Sequence, residues 1–274
     1  MEIKTKGSST ALSRQIVRHV PETWGRSELT QFFDLAEQQV HASVAGLPQW
    51  VKVLEKIDRN LTVNSETFFH EIDKARYEAS RLFMRAFGTY RAACRLALSG
   101  QIYEATVLTR SILESGMYAF SCGSSKEHRE AWKTRGDSDA HRAVAKRLFK
   151  WVGLRKLLAS KDPALEKELN EFYGATIELG AHPNVDGILL SSEDIAEGGK
   201  TKMSTIYLHG PDAIVIGILD LLKAMSLTYR LLFHTIGHRL RLLGIDEAVR
   251  KSAQATLNAL NALEGKLKEE RKIT

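Results

Sequence analysis

Arg110 and Glu114 are the residues of this chain whose types and spacing are best suited to chemistry. They lie four positions apart in Tyr103–Phe120, a segment with the apolar spacing of an amphipathic helix, so their side chains are neighbours. A carboxylate at this distance can orient a guanidinium that holds a phosphate. His182 and Asn184, which follow a later helix, would add a proton carrier and a polar contact to the ligand. We predict that these four residues form one catalytic site.

Two alternatives remain open for this set of residues. Arg110 and Glu114 could form a surface ion pair, which stabilises an exposed helix by only about 0.2–0.5 kcal/mol. The four groups could also tie their helices together. Breaking such a buried cluster would cost on the order of 3–5 kcal/mol, because a charge would be left unpaired.

A row of basic side chains on the longest predicted helix, Glu66–Ser99, forms a second candidate site. The apolar residues of this helix fall on one face. The opposite face carries Lys74, Arg81, Arg85, Arg91 and Arg95. Such a row could bind nucleic acid, because Lys and Arg neutralise phosphates whatever the base sequence. A solvated face that also holds Glu71 and Glu78 is the alternative.

The composition is that of an ordinary globular protein. The chain has 274 residues, of which 43% are hydrophobic and 26% charged, and its net charge of +6 fits an anionic partner such as RNA. Cys94 and Cys122 have no metal-ligand spacing, so we expect reduced core thiols in a cytoplasmic protein. Met1–Arg18 is polar and contains no continuous apolar run, which predicts no secretory signal.

Metal, cofactor and membrane binding are not predicted. His234 and His238 have the spacing of a zinc pair, but Thr235 stands where a metalloprotease has Glu, and no third ligand is evident. The most apolar segment, Ala213–Phe233, carries Asp220 and two basic residues, each costing about 2.5–3.5 kcal/mol at a bilayer centre. It is better interpreted as a buried helix.

The fold class indicated is all-α, a helical bundle built on a long antiparallel helix hairpin. Glu66–Ser99 and Tyr103–Phe120 form the hairpin, and Ala213–Ile236 packs at its centre. Between residues 185 and 208 the apolar spacing becomes β-like in two segments, Gly187–Ser191 and Met203–Leu208. This predicts a small β-hairpin or flap.

Capping and breaking residues predict the other helix boundaries. Ser27 caps the first helix, and Ser65 caps the helix of the basic row. Pro163 occupies the first turn of a helix that ends near Leu179. The remaining predicted helices are Gln49–Asn60, Glu127–Thr134 and Ser138–Leu158.

Three parts of the chain are distinguished: a mobile N-terminal arm at 1–26, the helical domain at 27–243 and a C-terminal helix at 244–274. The C-terminal helix carries an apolar stripe of Leu257, Leu260 and Leu267, although the core looks complete without it. We therefore predict a homodimer in which this stripe packs against a second subunit.

The helical hairpin, the Arg110/Glu114 pair and the peptide Gly180–Asn184 together resemble the HEPN-like all-α families. The resemblance covers about 66–236. It implies an RNA-directed protein of a toxin or defence system. Active HEPN ribonucleases carry an Arg followed by four to six residues and then His, a pair that stabilises phosphate charge and moves protons.

The motif is degenerate here, because Thr176 and Ile177 stand where an Arg would be expected before His182, and Glu178, which is nearer, is not an Arg either. Arg110 would have to supply that cation from the neighbouring helix. The resemblance thus implies a ribonuclease or a degenerate RNA binder. The alternative is a non-catalytic helical interaction protein that dimerises or holds a partner.

Overall fold

The computed structural model describes residues 20–69, 77–181, 185, 188, 191–197, 200–242, 244 and 246–273. The predicted all-α bundle is confirmed. Its helices are α1 (Glu28–Gly46), α2 (Pro48–Phe69), α3 (Tyr77–Leu98), α4 (Ile102–Ser124), α5 (Lys126–Thr134), α6 (Asp139–Leu148), α7 (Trp151–Ala159), α8 (Pro163–Thr176), α9 (Pro211–Leu242) and α10 (Asp246–Ile273). A π turn, Ile177–Ala181, follows α8.

The hairpin of α3 and α4 is the centre of the bundle, as predicted. Its turn requires glycine, because Gly100 has a φ of +83° and an added Cβ would lie 2.6 Å from the backbone oxygen of His209. The N–H of Gly100 donates to the carbonyl of Ala97, and the N–H of Gln101 donates to that of Leu96. These bonds close the end of α3.

Helix α9 packs along α4 at very short range. An added Cβ at Gly116 would lie 3.1 Å from Cγ2 of Thr228, and one at Gly123 only 2.2 Å from Cγ2 of Thr235. Both pairs are spaced by seven residues, and numbering increases in the same direction, so α4 and α9 run parallel. We call this contact the glycine seam.

Two buried polar contacts attach the N-terminal helices to the hairpin. The hydroxyl of Ser43 in α1 donates to the carbonyl of Leu98 at 2.8 Å. The hydroxyl of Tyr90 in α3 donates to the carbonyl of Leu54 in α2, also at 2.8 Å. Both groups are buried, so the bonds satisfy side-chain donors that would otherwise be costly to bury.

The boundary between the second and third helices differs from the prediction. Residues 61–69 continue α2, so Ser65 lies inside that helix and does not cap the next one. Buried Leu54, Ile57 and Leu61 explain the continuation, because they keep the three-to-four spacing across the expected end at Asn60. Helix α3 begins at Tyr77 rather than at Glu66.

The predicted helix Ser138–Leu158 is divided into α6 and α7. Lys150 is extended, with φ −63° and ψ 134°, and ends the helical run. Phe149 beside it is buried and packs its ring against Tyr118 and Trp132. The break therefore places an aromatic side chain in the core.

The predicted β-hairpin is present as two antiparallel strands, β1 (Ser192–Glu197) and β2 (Lys200–Thr205). The first strand is the acidic segment that the sequence indicated as a loop. The register pairs Ser192 with Thr205 and Glu197 with Lys200. Most of the expected strand Gly187–Ser191 lies outside the described residues.

The first and last described helical segments both pack against the bundle. Helix α10 packs against α2 and α9, and Leu260 and Leu263 are buried in the main core. Part of the predicted dimer stripe is thus used within the chain, and dimerisation stays a prediction.

The predicted N-terminal arm, 1–26, is described only from residue 20 onward. Trp24, in the turn after Pro21, packs on Phe33 of α1.

Helix α9 is buried along most of its length, as its composition predicted; Ile214, Ile218 and Leu221 have no exposed surface. In the part of the chain that the structure describes, no helix combines the length and the apolar character needed to cross a membrane.

Gly123→Ala is expected to lower the free energy of unfolding by about 1–3 kcal/mol, because the new methyl group overpacks the glycine seam. Thr235 cannot turn away freely, since its hydroxyl donates to the carbonyl of Leu231 at 2.8 Å. Urea denaturation followed by circular dichroism measures the change. The control is Gly88→Ala at an exposed position of α3, where an added Cβ meets open space, and it should stabilise by about 0.5–1 kcal/mol. Equal effects at the two sites would show that the seam is not tight.

Asp220→Asn is expected to stabilise the protein at pH 7. Burial raises the pKa of the Asp220 carboxyl to about 6, although Lys223 acts to lower it. The folded state therefore holds this proton more tightly than the unfolded chain, and stability falls as the pH rises from about 4 to about 6. The gain at pH 7 should reach up to about 3 kcal/mol, from 1.36 kcal/mol per pKa unit.

Unfolding curves at several pH values test this expectation. The variant should lose part of the decline in stability between about pH 4 and pH 6. Asp137→Asn, at an exposed position between α5 and α6, is the control and should change stability by less than about 0.5 kcal/mol. A destabilised Asp220→Asn variant would mean that the carboxylate has a stabilising partner.

Candidate functional site

Arg110 and Glu114 are joined by a third residue, Tyr173 of α8, in a closed set of hydrogen bonds. Nε of Arg110 donates to Oε1 of Glu114 at 2.9 Å, and Nη2 of Arg110 donates to the Tyr173 hydroxyl at 2.9 Å. That hydroxyl donates in turn to Oε1 of Glu114 at 2.8 Å. We call these three residues the Arg110 cluster. It joins α4 to α8.

The Arg110 cluster is neither fully exposed nor fully buried. The Arg110 side chain is 19% exposed and that of Glu114 is 38% exposed. The pair is thus more enclosed than the simple surface ion pair considered above. Nη1 of Arg110 makes no hydrogen bond to any residue that the structure describes, so this nitrogen can still reach a ligand.

Tyr173 is held in place by aromatic packing. Its ring stacks on that of Trp151 at a centroid distance of 3.6 Å, and Nε1 of Trp151 donates to Oδ1 of Asn170 at 3.3 Å. Burial and then Glu114 raise the pKa of Tyr173 to about 12, so its hydroxyl stays protonated and donates near neutral pH. This role was not predicted from the sequence, because Tyr173 fits the apolar spacing of α8.

His182 and Asn184, the other two predicted catalytic residues, lie outside the described residues. The π turn Ile177–Ala181, which ends immediately before His182, packs against α4. The last described residues before His182 therefore lie beside α4, the helix that carries Arg110. Short π segments occur frequently at functional sites.

The predicted basic row is divided among different partners, and Lys74 lies outside the described residues. Arg91 donates from Nε and Nη2 to the two carboxylate oxygens of Asp58, at 2.6 and 3.1 Å. The hydrogen bond to Asp58 is the main cause that raises the pKa of Arg91. Arg95 forms an ion pair with Glu37 of α1. These two guanidinium groups join helices, and their nucleic-acid role stays a prediction.

Arg81 and Arg85 line an open cleft between α3 and α5 with a volume of about 560 Å³. Its basic residues are Arg81, Arg85, Lys133 and Arg135, and its lining is completed by Glu78, Leu82, Trp132 and Gly136. We call it the basic cleft. Lys133 forms an ion pair with Glu130 at 3.4 Å, so three further basic side chains face the single acidic one of the lining, which makes the cleft electropositive.

Trp132 positions Arg135 in the basic cleft. The guanidinium carbon of Arg135 lies 3.5 Å from the centroid of the Trp132 ring. Phe149 packs against that ring at 5.3 Å, which fixes the tryptophan. The exposed Arg135 therefore presents one planar face to solvent while the other is covered.

Tyr118 connects the Arg110 cluster with the basic cleft. It lies four residues after Glu114 on α4, and its ring meets the edge of Trp132 at a centroid distance of 5.6 Å. Burial raises the pKa of Tyr118, the Glu114 carboxylate raises it further, and Arg135 lowers it. Its hydroxyl is thus within electrostatic reach of both sites, which lie along the same side of α4.

His234 and the two cysteines, the other candidate groups, show no sign of a metal or nucleophilic site among the described residues. Nε2 of His234 lies 3.0 Å from Oδ2 of Asp162, and in the described part of the chain no three His, Cys, Asp or Glu side chains are grouped to hold a metal ion. Cys94 and Cys122 are free thiols, and burial raises the pKa of each to about 12, which leaves them protonated.

Comparison with protein-family models, curated proteins and solved structures finds no match. The class that the fold defines is an all-α bundle with a parallel α4–α9 core. Any assignment of function consequently depends on the chemistry of the Arg110 cluster and the basic cleft.

Tyr173→Phe is expected to lower the free energy of unfolding by about 1–2 kcal/mol, because Glu114 loses a donor and Arg110 loses an acceptor. Tyr103→Phe on α4 is the control, since Tyr103 is half-buried on the same helix and lies outside the Arg110 cluster. A double-mutant cycle of Tyr173→Phe with Glu114→Gln should give a coupling energy of about 0.5–3 kcal/mol. Additive losses in urea denaturation would show that the three groups do not act as a unit.

Proposed function

We propose that the protein binds single-stranded RNA along one side of α4, from the basic cleft to the Arg110 cluster. The observation that carries the proposal is the basic cleft, in which Arg81, Arg85, Lys133 and Arg135 converge. The three arginines form no ion pair with any described residue, and cations grouped in one depression can neutralise several successive phosphates. The resemblance to HEPN-like families, which implies an RNA-directed protein, agrees with this charge distribution.

Arg135 favours a single strand over a duplex. Its guanidinium is held flat on Trp132 with the other face exposed, and unstacked bases pack on guanidinium planes of this kind. Bases inside a duplex are stacked on each other and cannot occupy that face. Arg135 would thus stack a base while its neighbours in the cleft hold the adjoining phosphates.

The Arg110 cluster would hold a phosphate farther along the same strand. Glu114 fixes the Arg110 guanidinium through Nε, and Tyr173 fixes it through Nη2, so its orientation is set before RNA arrives. The remaining nitrogen can bond to a phosphate oxygen. Because Glu114 cancels most of the charge of Arg110, this contact adds orientation more than affinity.

RNA cleavage would need a proton carrier beside the bound phosphate. Tyr173 is unsuited to this role, because its pKa is raised to about 12. His182 would therefore have to provide the proton transfer. The proposal takes the protein to be an RNA binder of degenerate HEPN type, and it becomes a ribonuclease only if His182 reaches the Arg110 cluster.

A non-catalytic dimerisation protein is the second candidate function. Helix α1 exposes Leu29, Phe33 and Val44, which lie within one face of the helix at 100° per residue. This apolar stripe is suited to a contact with a second copy of the chain. It is the specific observation that favours the alternative.

Replacing the cleft arginines is expected to weaken RNA binding. Fluorescence polarisation with a labelled oligouridylate of about 12 nucleotides, at about 50 and about 200 mM salt, measures affinity and its salt dependence. Arg81→Ala with Arg85→Ala should weaken binding at least about tenfold and lower the salt slope by about one per residue. Lys52→Ala with Arg59→Ala on α2 is the control, since it removes the same charge from two exposed positions outside the cleft.

The same samples separate the remaining possibilities. A gel that shows cleavage by the natural chain and none by His182→Ala, with unchanged melting temperature, would make the protein a ribonuclease. Equal weakening by the cleft and control pairs would contradict the proposed site, and absence of RNA binding at both salt concentrations would overturn the proposal. A dimer lost on Phe33→Glu, together with no RNA binding, would favour the alternative.

A further inference from the structure

The cavity between α2, α9 and α10 has a volume of about 570 Å³ and lies away from the basic cleft. This volume falls within the range of small-molecule sites. Its apolar walls are contributed by all three helices: Val53, Ile57, Leu222, Phe233, Leu257 and Leu260. The cavity is open to solvent beside the exposed Arg250, Lys251 and Gln254, so a ligand can enter it and place an apolar group against these walls.

Cationic side chains occur at one end of this cavity. Arg230, Phe233 and Arg250 also line a second, polar cavity of about 350 Å³, which is completed by Asp162 and His234. The three shared residues show that the two cavities adjoin. An apolar chamber is therefore followed by a polar vestibule, with two arginines at the junction.

The two arginines at the junction differ in their partners. Arg230 donates to the carboxylate of Glu168 on α8. Arg250 lies over the ring of Phe233, at 5.2 Å from its centroid, and forms no ion pair with any residue that the structure describes. Arg250 is thus an exposed cation placed directly beside apolar surface, and its charge remains available to an anion.

We propose that this cavity binds a small amphiphile with an unbranched apolar chain and one anionic head group. The chain lies among the leucines and valine of the three helices, and the head group lies between Arg250 and Arg230. The ligand matches both the apolar lining and the unpaired positive charge. A carboxylate and a phosphate monoester share this chemistry. The site does not depend on the proposed RNA binding.

The structure favours a small molecule over a second protein copy. A cavity of about 570 Å³ between three helices of one chain accepts a single alkyl chain, whereas a helix from another protein needs a long groove. The cationic junction would also be poorly matched by a second copy, since this chain carries a net charge of +6.

Calorimetric titration of the full chain tests the proposal with three probes: dodecanoate, dodecyl phosphate and dodecanol. Both anions should bind at one site per chain, and the relative affinity of carboxylate and phosphate identifies the preferred head group. Dodecanol should bind at least about tenfold more weakly, because it makes no charge-assisted hydrogen bonds. Arg250→Ala should weaken binding of both anions about tenfold and leave that of dodecanol unchanged.

Two further variants make the result specific. Arg241→Ala, an exposed arginine of α9 that lines neither cavity, is the charge control and should leave all three affinities unchanged. Leu257→Trp should fill the chamber and abolish binding of all three probes while circular dichroism shows the native helix content. Leu257 is only partly buried, so the variant can be tested for folding independently of binding.

Several outcomes would overturn the proposal. They are no saturable binding of either anion, equal affinity for dodecanol and dodecanoate, and an Arg250→Ala variant that binds both anions as well as the natural chain does. Sedimentation that shows a dimer dissociated by Leu257→Trp would assign the cavity to a second copy instead. None of these results would affect the RNA test, which depends on other residues.

Discussion

The close approach of α4 and α9 is the constraint on which the rest of the structure depends. Gly116 and Gly123 let Thr228 and Thr235 pack directly against the α4 backbone, and the seven-residue spacing on both helices fixes their register. A helix held in this way can neither slide nor rotate by one residue without steric overlap. Because α4 carries Arg110, Glu114 and Tyr118 on its other side, the glycine seam also fixes the position of the candidate site.

The arginines of the bundle are divided into two groups by their partners. Arg91 and Arg95 are paired with Asp58 and Glu37 on neighbouring helices, so their charge is used within the fold. In the basic cleft Lys133 is paired with Glu130 at 3.4 Å, whereas Arg81, Arg85 and Arg135 form no ion pair with any residue that the structure describes, and their charge extends into solvent. An anionic polymer is attracted by the second group, since paired charges produce little field at a distance. The positive charge of the chain can attract an anionic polymer because part of it is concentrated in the basic cleft, although the net charge is small.

The sequence predicted those features of the fold that follow from apolar spacing over many residues, namely α3, α4, α9 and the hairpin turn. The predicted helix boundary was wrong where the local signal was weak. No Gly or Pro lies between Asn60 and Phe69, and Ser65 has the residue type of an N-cap although it lies inside α2. The prediction from sequence also missed the basic cleft, because Trp132 and Arg135 meet Arg81 and Arg85 only when α5 folds back on α3. Tyr173 was hidden for a related reason, since a tyrosine at a core position gives no sign that its hydroxyl joins an ion pair 59 residues away.

Helix α8 is the element through which the RNA site and the apolar cavity could influence each other. Tyr173 joins it to the Arg110 cluster, while Glu168 and Asp162 bond to Arg230 and His234 at the cavity junction. A ligand shifts a distant site only by the difference in its interaction with two arrangements of the connecting element. The Arg230 and Glu168 side chains are 37% and 46% exposed, and an ion pair this exposed contributes at most about 1 kcal/mol. An anionic head group that draws Arg230 away from Glu168 therefore changes RNA affinity by no more than about fivefold, and the two sites act almost independently.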